Sequence, residues 1–286
     1  MIVVLVLMVM VHQLLKFRRF YEQNGGPVLK GVKSIRIYTR KQIKQMTNNY
    51  RCVIGEGHFG KKSIKVDKHM KQEFTDEVII QSAMRHKNIV MLIGCCLELD
   101  VPMLVYEFVA RGSLYDVLFK CRDKILVGTR LRIAVGPAEG LTYMHSAGES
   151  TIRHGKAEMT EHVIGDMSYI DPVYMEQGIV TQKSDVYGFG VILIELITRR
   201  PATYDVERSY VANFVEACLA KRARNFIDNN VTSEADIDLL EMVSRVAVDC
   251  LKPNPEERQD HSQERDYKGD FSPAPDDIAL LKGLGE

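Results

Sequence analysis

The stretch Lys183–Thr198, KSDVYGFGVILIELIT, constrains the chain most. Beyond Asp185 it places Val186, Tyr187, Phe189, Val191, Ile192, Leu193, Ile194, Leu196 and Ile197 at positions that cover every face of a helix. A helix that is apolar all round must have protein on all sides, so this segment is predicted to be a buried central helix. Other helical patterns are available to surround it. Arg130–His145 reads as a helix despite Gly136, Pro137 and Gly140, which would kink it. Glu234–Leu251, EADIDLLEMVSRVAVDCL, reads as an amphipathic helix stopped by Pro253 and Pro255.

Strand-like segments come earlier. Arg51–Gly60 (RCVIGEGHFG) reads as a strand and a glycine turn, Asn88–Glu98 (NIVMLIGCCLE) and Pro102–Phe108 (PMLVYEF) as strands. Between them Met70, Phe74, Val78 and Met84 recur at near-helical spacing over 67–85. Thr39 is placed to cap a short helix, and Ser113 with Asp116 three residues on has the form of a capping box. Strands first and helices after predict an α+β architecture: a small sheet-bearing lobe followed by a helical one.

The 286 residues leave ample length for a core, and 38 basic residues balance 38 acidic ones with no single-sign block. That balance excludes a nucleic-acid surface, which needs a clustered basic stripe. The six cysteines show no CxxC and no histidine at ligand spacing, which argues against zinc and against a disulfide framework. Free thiols in a reducing cytosol are expected.

Met1–Val11 is unbroken apolar sequence, followed after His12-Gln13 by Leu14-Leu15 and then Lys16, Arg18 and Arg19. Fifteen helical residues span about 22 Å, short of the roughly 30 Å hydrocarbon core. No basic region precedes the run and no cleavage site follows, so a signal peptide fits poorly. The reading is the inner part of a transmembrane helix or a membrane-surface anchor, with the basic residues keeping the rest cytosolic. Gly25-Gly26-Pro27 is read as part of a linker over 16–37.

GEGHFG matches GxGxxG at Gly55, Gly57 and Gly60. By itself this suits a dinucleotide fold, for which Lys61-Lys62-Ser63 opens no good helix, or a glycine turn between antiparallel strands covering nucleotide phosphates. The order of the later segments favours the second. FTDEVIIQSAMRHKNIV, MLVYEFVARGSL, RLRIAVGPAEGLTYMHS, GDMSYIDPVY, KSDVYGFGVILIELIT and ERQD follow one another. Together, over about Tyr38 to Arg258, they resemble a protein kinase, most closely the plant wall-associated receptor-like serine/threonine kinases.

The resemblance implies a two-lobe fold and assigns roles. Gly55, Gly57 and Gly60 would cover the ATP phosphates, and Lys61 or Lys62 is the remnant of the phosphate-gripping lysine. Glu77 matches the helix glutamate that pairs with that lysine. Tyr106 would be the gatekeeper, with Glu107 and Val109 offering backbone groups to adenine. Asp185 matches the aspartate that holds the catalytic loop's backbone. Asp171-Pro172-Val173 stands at the Ala-Pro-Glu position, whose glutamate normally pairs with a buried arginine, here Arg258. Val173 cannot make that pair, so Arg258 is expected to find another partner or sit in water. The chain divides into an apolar segment or anchor (1–15), a juxtamembrane linker (16–37), an incomplete nucleotide lobe (38–120), a helical lobe (121–258) and a polar tail (259–286).

Two parts of the family pattern are missing. Gly60 runs directly into KKSIKVDKHMKQEF, without the hairpin and third strand that should follow. More severe is the interval from His154 to Asp171, 171 − 154 = 17 positions. His-Arg-Asp-x-x-x-x-N needs eight residues and Asp-Phe-Gly three more, with an activation loop besides. His154-Gly155-Lys156 stands where His-Arg-Asp should, and no Asp-Phe-Gly occurs in the interval. Asp166, Glu158 and Glu161 have the wrong context to substitute, and ERDYKGDF at Glu264–Phe271 lies out of order. No catalytic residue or metal ligand is therefore intact, ATP binding would be weak, and Mg²⁺ binding is doubtful.

Three functions follow from these gaps: an inactive kinase homologue at the plasma membrane that pairs with active receptor kinases, a working serine/threonine kinase, or a non-functional truncated product. The cuts also predict unpaired backbone at NIVMLIGCC and an exposed apolar face on the 67–85 helix, leaving the small lobe molten or partner-dependent.

Overall fold

A computed structural model describes residues 1–51, 68–110, 112–120, 125–151, 158–159, 166–202 and 209–258. They form two compact units, Met1–Val109 and Ala110–Glu286. The expected lobe boundary, after residue 120, falls inside the second unit. Gly55, Gly57, Gly60, Lys61, Lys62 and the polar tail lie outside the described residues.

In the first unit, α1 (Ile2–Gln23) continues well beyond the apolar run, to Gln23. The residues after Leu15 that were read as linker are helical because nothing breaks a helix until Gly25-Gly26-Pro27. Every apolar side chain from Met1 to Val11, with Leu14 and Leu15, is exposed. No helix among the described residues is long and apolar enough to cross a membrane.

The rest of the predicted linker is structural. Asn24 is fully buried and donates through Nδ2 to the carbonyls of Leu97 at 2.9 Å and Leu99 at 2.8 Å. The short helix α2 (Gly26–Leu29) buries Leu29 completely, against Val78, Leu92, Cys95 and Leu97. Next comes β1 (Arg36–Ile37), then α3 (Arg40–Met46), whose capping box joins Thr39 to Gln42.

β1 corrects the expected loss of pairing at NIVMLIGCC. It runs parallel to β2 (Leu92–Cys96), with Arg36 opposite Gly94 and Ile37 opposite Cys95. The backbone N–H of Tyr38 extends the pairing by donating to Cys95 O at 2.8 Å. On the other side β2 pairs antiparallel with β3 (Met103–Tyr106). Gly94 is required here, because a Cβ would lie 2.0 Å from the Arg36 carbonyl oxygen. Gly94→Val is expected to expel β1 and destabilise the first unit by about 2–4 kcal/mol, the upper range for overpacking and strand disruption; urea unfolding of the variant measures it.

The helix predicted over 67–85 is α4 (Lys68–Ala83). Its apolar face is not exposed, since Val78 is 0% accessible and packs on the β2 side chains and Leu29. The N-terminal segment therefore fills space that the sequence left open. Burial pushes the Cys95 thiol up to about 11.

In the second unit, Ser113 and Asp116 exchange hydrogen bonds at the start of a π-helical turn, Asp116–Lys120. Then come α5 (Val127–Thr151), which runs through Pro137, the two-residue strands β4 (Glu158–Met159) and β5 (Ile179–Val180), paired antiparallel, and α6 (Pro172–Gln177) between them. α7 (Gln182–Thr198) is the predicted central helix, with Val191, Leu193, Ile194 and Ile197 at 0% accessibility. α8 (Tyr210–Leu219) and α9 (Glu234–Cys250) complete the core through Phe214, Leu240, Val243 and Ala247. Gly190 lets α7 and α9 meet closely, since a Cβ there would lie 2.8 Å from Cys250 Cβ.

A buried ion pair that no local pattern signals lies in this core. Arg130 on α5 bonds Asp228, and its other nitrogens reach the carbonyls of Ile125 at 3.1 Å and Leu196 at 3.2 Å. Burial raises the Asp228 pKa, but bonds from Asn230 and Arg130 outweigh it and leave the carboxyl below its usual value. A carboxyl with a lowered folded pKa stabilises above its unfolded pKa, and the contribution is lost as pH falls through the folded value. Unit 2 is expected to lose stability below about pH 4. Asp228→Asn should flatten that acid limb, as read by thermal melting across pH.

Candidate functional site

The nucleotide-lobe residues that can be placed lie on α4 and at the end of β3. Glu77 Oε1 accepts from Gln81 Nε2 at 2.8 Å, one helical turn on, and Gln81 Oε1 accepts from the Tyr106 hydroxyl at 2.6 Å. Helical spacing brings Glu77 and Gln81 to one face, and β3 delivers Tyr106 to it. Tyr106 is partly exposed. Burial raises its phenol's pKa, Glu77's charge adds to the rise, and the Gln81 bond opposes it. Glu77 is thus tied to Tyr106 through Gln81, a residue that no motif marks.

Glu107 is held twice by Met91. Its N–H donates to Met91 O at 3.0 Å, and its Oε1 accepts from Met91 N at 2.8 Å. This clasp fixes the backbone direction just past β3. Phe108 and Val109 follow, both well exposed. The Glu107 N–H is consumed, so what it could offer a nucleotide is its carbonyl, with the Val109 amide two residues on.

In the second unit the surprise is Asp171. Both of its carboxylate oxygens accept from Arg258, from Nη1 at 2.5 Å and Nη2 at 2.8 Å. Arg258 is 0% exposed and Asp171 2%. The same carboxylate caps α6 by accepting the Val173 N–H at 3.0 Å, and Pro172 fills the first helical position, where no N–H is needed. Arg258 also donates to the carbonyls of Lys183 and Lys252, lies over the Tyr187 ring with 5.2 Å to its centroid, and receives Lys183 Nζ on its own carbonyl. The partner Arg258 needed thus stands two residues before the position where the family's glutamate belongs.

Asp185, in the first turn of α7, has its Oδ2 3.0 Å from Nε2 of His145, a buried residue of α5. Farther along α7 the buried Glu195 accepts the Tyr169 hydroxyl on both oxygens at 2.9 Å and the Ala202 N–H at 2.9 Å. Burial raises the Glu195 pKa, against the bonds from Ala202 and Tyr169. His145, Tyr169 and Glu195 were missed; a lone glutamate within the apolar run of α7 was the available signal for the last of them.

The family's reaction needs carboxylates to hold Mg²⁺ and accept a proton. Three described carboxylates in or after the interrupted segment are engaged: Asp166 takes the Ser168 N–H at 3.0 Å, Asp171 takes Arg258, and Asp185 faces His145. Among the described residues no three His, Cys, Asp or Glu side chains gather in a metal-ligating group. The donors among the described residues do not assemble the Mg²⁺ pair of the family.

The fold and these motifs define a protein kinase domain. The profile for protein tyrosine and serine/threonine kinases matches residues 60–154 and 149–265, and the chain belongs to that family. It is 32% identical over 301 residues to wall-associated receptor kinase 3 and 31% identical over 296 residues to wall-associated receptor kinase-like 4, both of Arabidopsis thaliana. The alignments cover 84% and 82% of this chain, but only 41% and 39% of those relatives. It is also 31% identical to the putative wall-associated receptor kinase-like 16 of the same plant, over 84% of this chain and 69% of that protein. The chain spans about two fifths of the length of the first two.

Proposed function

We propose that this chain is a catalytically inactive kinase homologue that works as a membrane-associated signalling module, pairing with active receptor kinases. One observation carries the loss of activity. Between His154 and Asp171 the sequence has no room for the catalytic loop, Asp-Phe-Gly and activation loop together. The two family matches meet at 149–154, beside this interval, which supports a deletion there. A positioned base contributes about 10²–10⁴-fold to such reactions, and the metal-held phosphates need carboxylates that are absent or engaged elsewhere.

The binding role is supported by what remains. The helical unit keeps a full core round α7, and the Asp171–Arg258 pair rebuilds the local anchor of α6. The exposed apolar run of α1, followed by Lys16, Arg18 and Arg19, supports attachment to a cytosolic membrane face. Among the described residues, the backbone of Glu107 and Val109 would meet ATP, which supports weak binding.

The test is transfer of radiolabelled phosphate from ATP to a generic protein substrate by the purified chain. Incorporation is expected at background with Mg²⁺ or Mn²⁺, and the melting temperature in ATP with Mg²⁺ should equal that in ATP with EDTA. Phosphotransfer that disappears on changing one of the chain's own acidic residues overturns the reading.

A further inference from the structure

A cavity of about 540 Å³ lies at the foot of α1, lined by Phe17, Arg40, Lys41, Lys44 and Glu98 among others. Its size is that of a small-ligand pocket, and none of the described nucleotide-site residues, Glu77, Tyr106, Glu107 and Val109, lines it. Three cations face one carboxylate, and Glu98 already accepts the backbone N–H of Arg40 at 2.8 Å. The Arg40 guanidinium lies over the Phe17 ring, 5.3 Å from its centroid. Its Nε is shut off from water and has no acceptor among the described residues. A stacked guanidinium is suited to phosphate recognition.

The opposite wall is also polar. Asn48 and Asn49 line the cavity from a turn in which Asn48, Asn49 and Tyr50 all have left-handed backbones, φ 47°, 58° and 62°. Asparagine tolerates that conformation better than most residues, and its amide can bond hydroxyl or phosphate oxygens.

Position decides among anionic ligands. Phe17 is two residues beyond Leu15, where the exposed apolar run ends, or about 3 Å along the helix axis. A membrane that takes up the run brings its headgroup layer to the cavity mouth, next to Lys16 and Arg19. We propose that this cavity binds the phosphate of an anionic phospholipid headgroup and so docks the first unit on the membrane. The proposal rests on the membrane reading of α1.

The test measures partitioning of the purified full chain onto phosphatidylcholine vesicles with and without phosphatidylinositol bisphosphate. Lys41→Gln/Lys44→Gln is expected to weaken binding to the anionic vesicles about 30-fold, the effect of two charges near a lipid surface. Binding to neutral vesicles and the melting temperature should not change. The control pair Lys30→Gln/Lys33→Gln removes the same charge outside the cavity and should cost less than about threefold. Equal losses from the two pairs, or no preference for anionic vesicles, overturn the cavity while leaving α1 anchoring intact. Failure to bind neutral vesicles overturns α1 anchoring instead, and the lysine-pair comparison on anionic vesicles then judges the cavity separately. Lysine-dependent binding of inorganic pyrophosphate without any vesicle preference would mark a site for free phosphate and overturn the lipid assignment.

Discussion

Asp171→Ala is expected to destabilise the second unit by about 3–5 kcal/mol, because it strands a guanidinium that is fully buried. The carbonyls of Lys183, Lys252 and Pro253 would still accept from Arg258, but no carbonyl carries the charge that offsets burying a cation. For a unit of this size the fall in melting temperature is on the order of 10 °C. Two further variants separate charge from packing. Asp171→Ala with Arg258→Met should recover most of the loss, since a buried pair can be replaced by apolar groups of similar volume. Asp171→Ala with Val173→Glu restores the family's usual arrangement and should recover part of it. If Asp171→Ala costs under about 1 kcal/mol, the pair behaves as a surface ion pair and its role as anchor fails.

Leu29→Ala is the second large effect, about 2–5 kcal/mol for a fully buried leucine, felt in the first unit alone. Leu29 is in contact with the core formed by Val78, Leu92, Cys95 and Leu97, so the truncation leaves a cavity beneath both helix and sheet. A true linker would lose nothing. Urea unfolding followed by Tyr fluorescence and hydrogen exchange at β2 should show the loss, with exchange in α7 unchanged. An unaltered first unit would return 16–37 to the status of a tether.

Much of the helical unit was legible because its signals are local. The α7 run is apolar on all faces, the 234–251 pattern is periodic, and the Ser113 cap bonds a residue three positions away. The Tyr106–Glu107 segment could likewise be placed at a strand end from its own pattern. What escaped was non-local. Gln81 joins Glu77 to Tyr106 only because α4 lies beside β3. His145 meets Asp185, and Tyr169 meets Glu195, across different elements. The helix continues through Gln23 because the first helix breakers, Gly25-Gly26-Pro27, lie beyond it.

The sequence alone determined the family, the central helix and the absence of room for a catalytic loop, Asp-Phe-Gly and activation loop together, since each depends on residue order and count. Tertiary structure decided what compensates for the missing parts. A parallel strand at Arg36–Ile37 occupies the open edge of β2, Leu29 covers α4, and Asp171 supplies the carboxylate that Val173 lacks. The physical reason is common to all three: a buried donor, charge or apolar face must be matched by whatever folding brings within contact distance, and sequence separation places no limit on that choice.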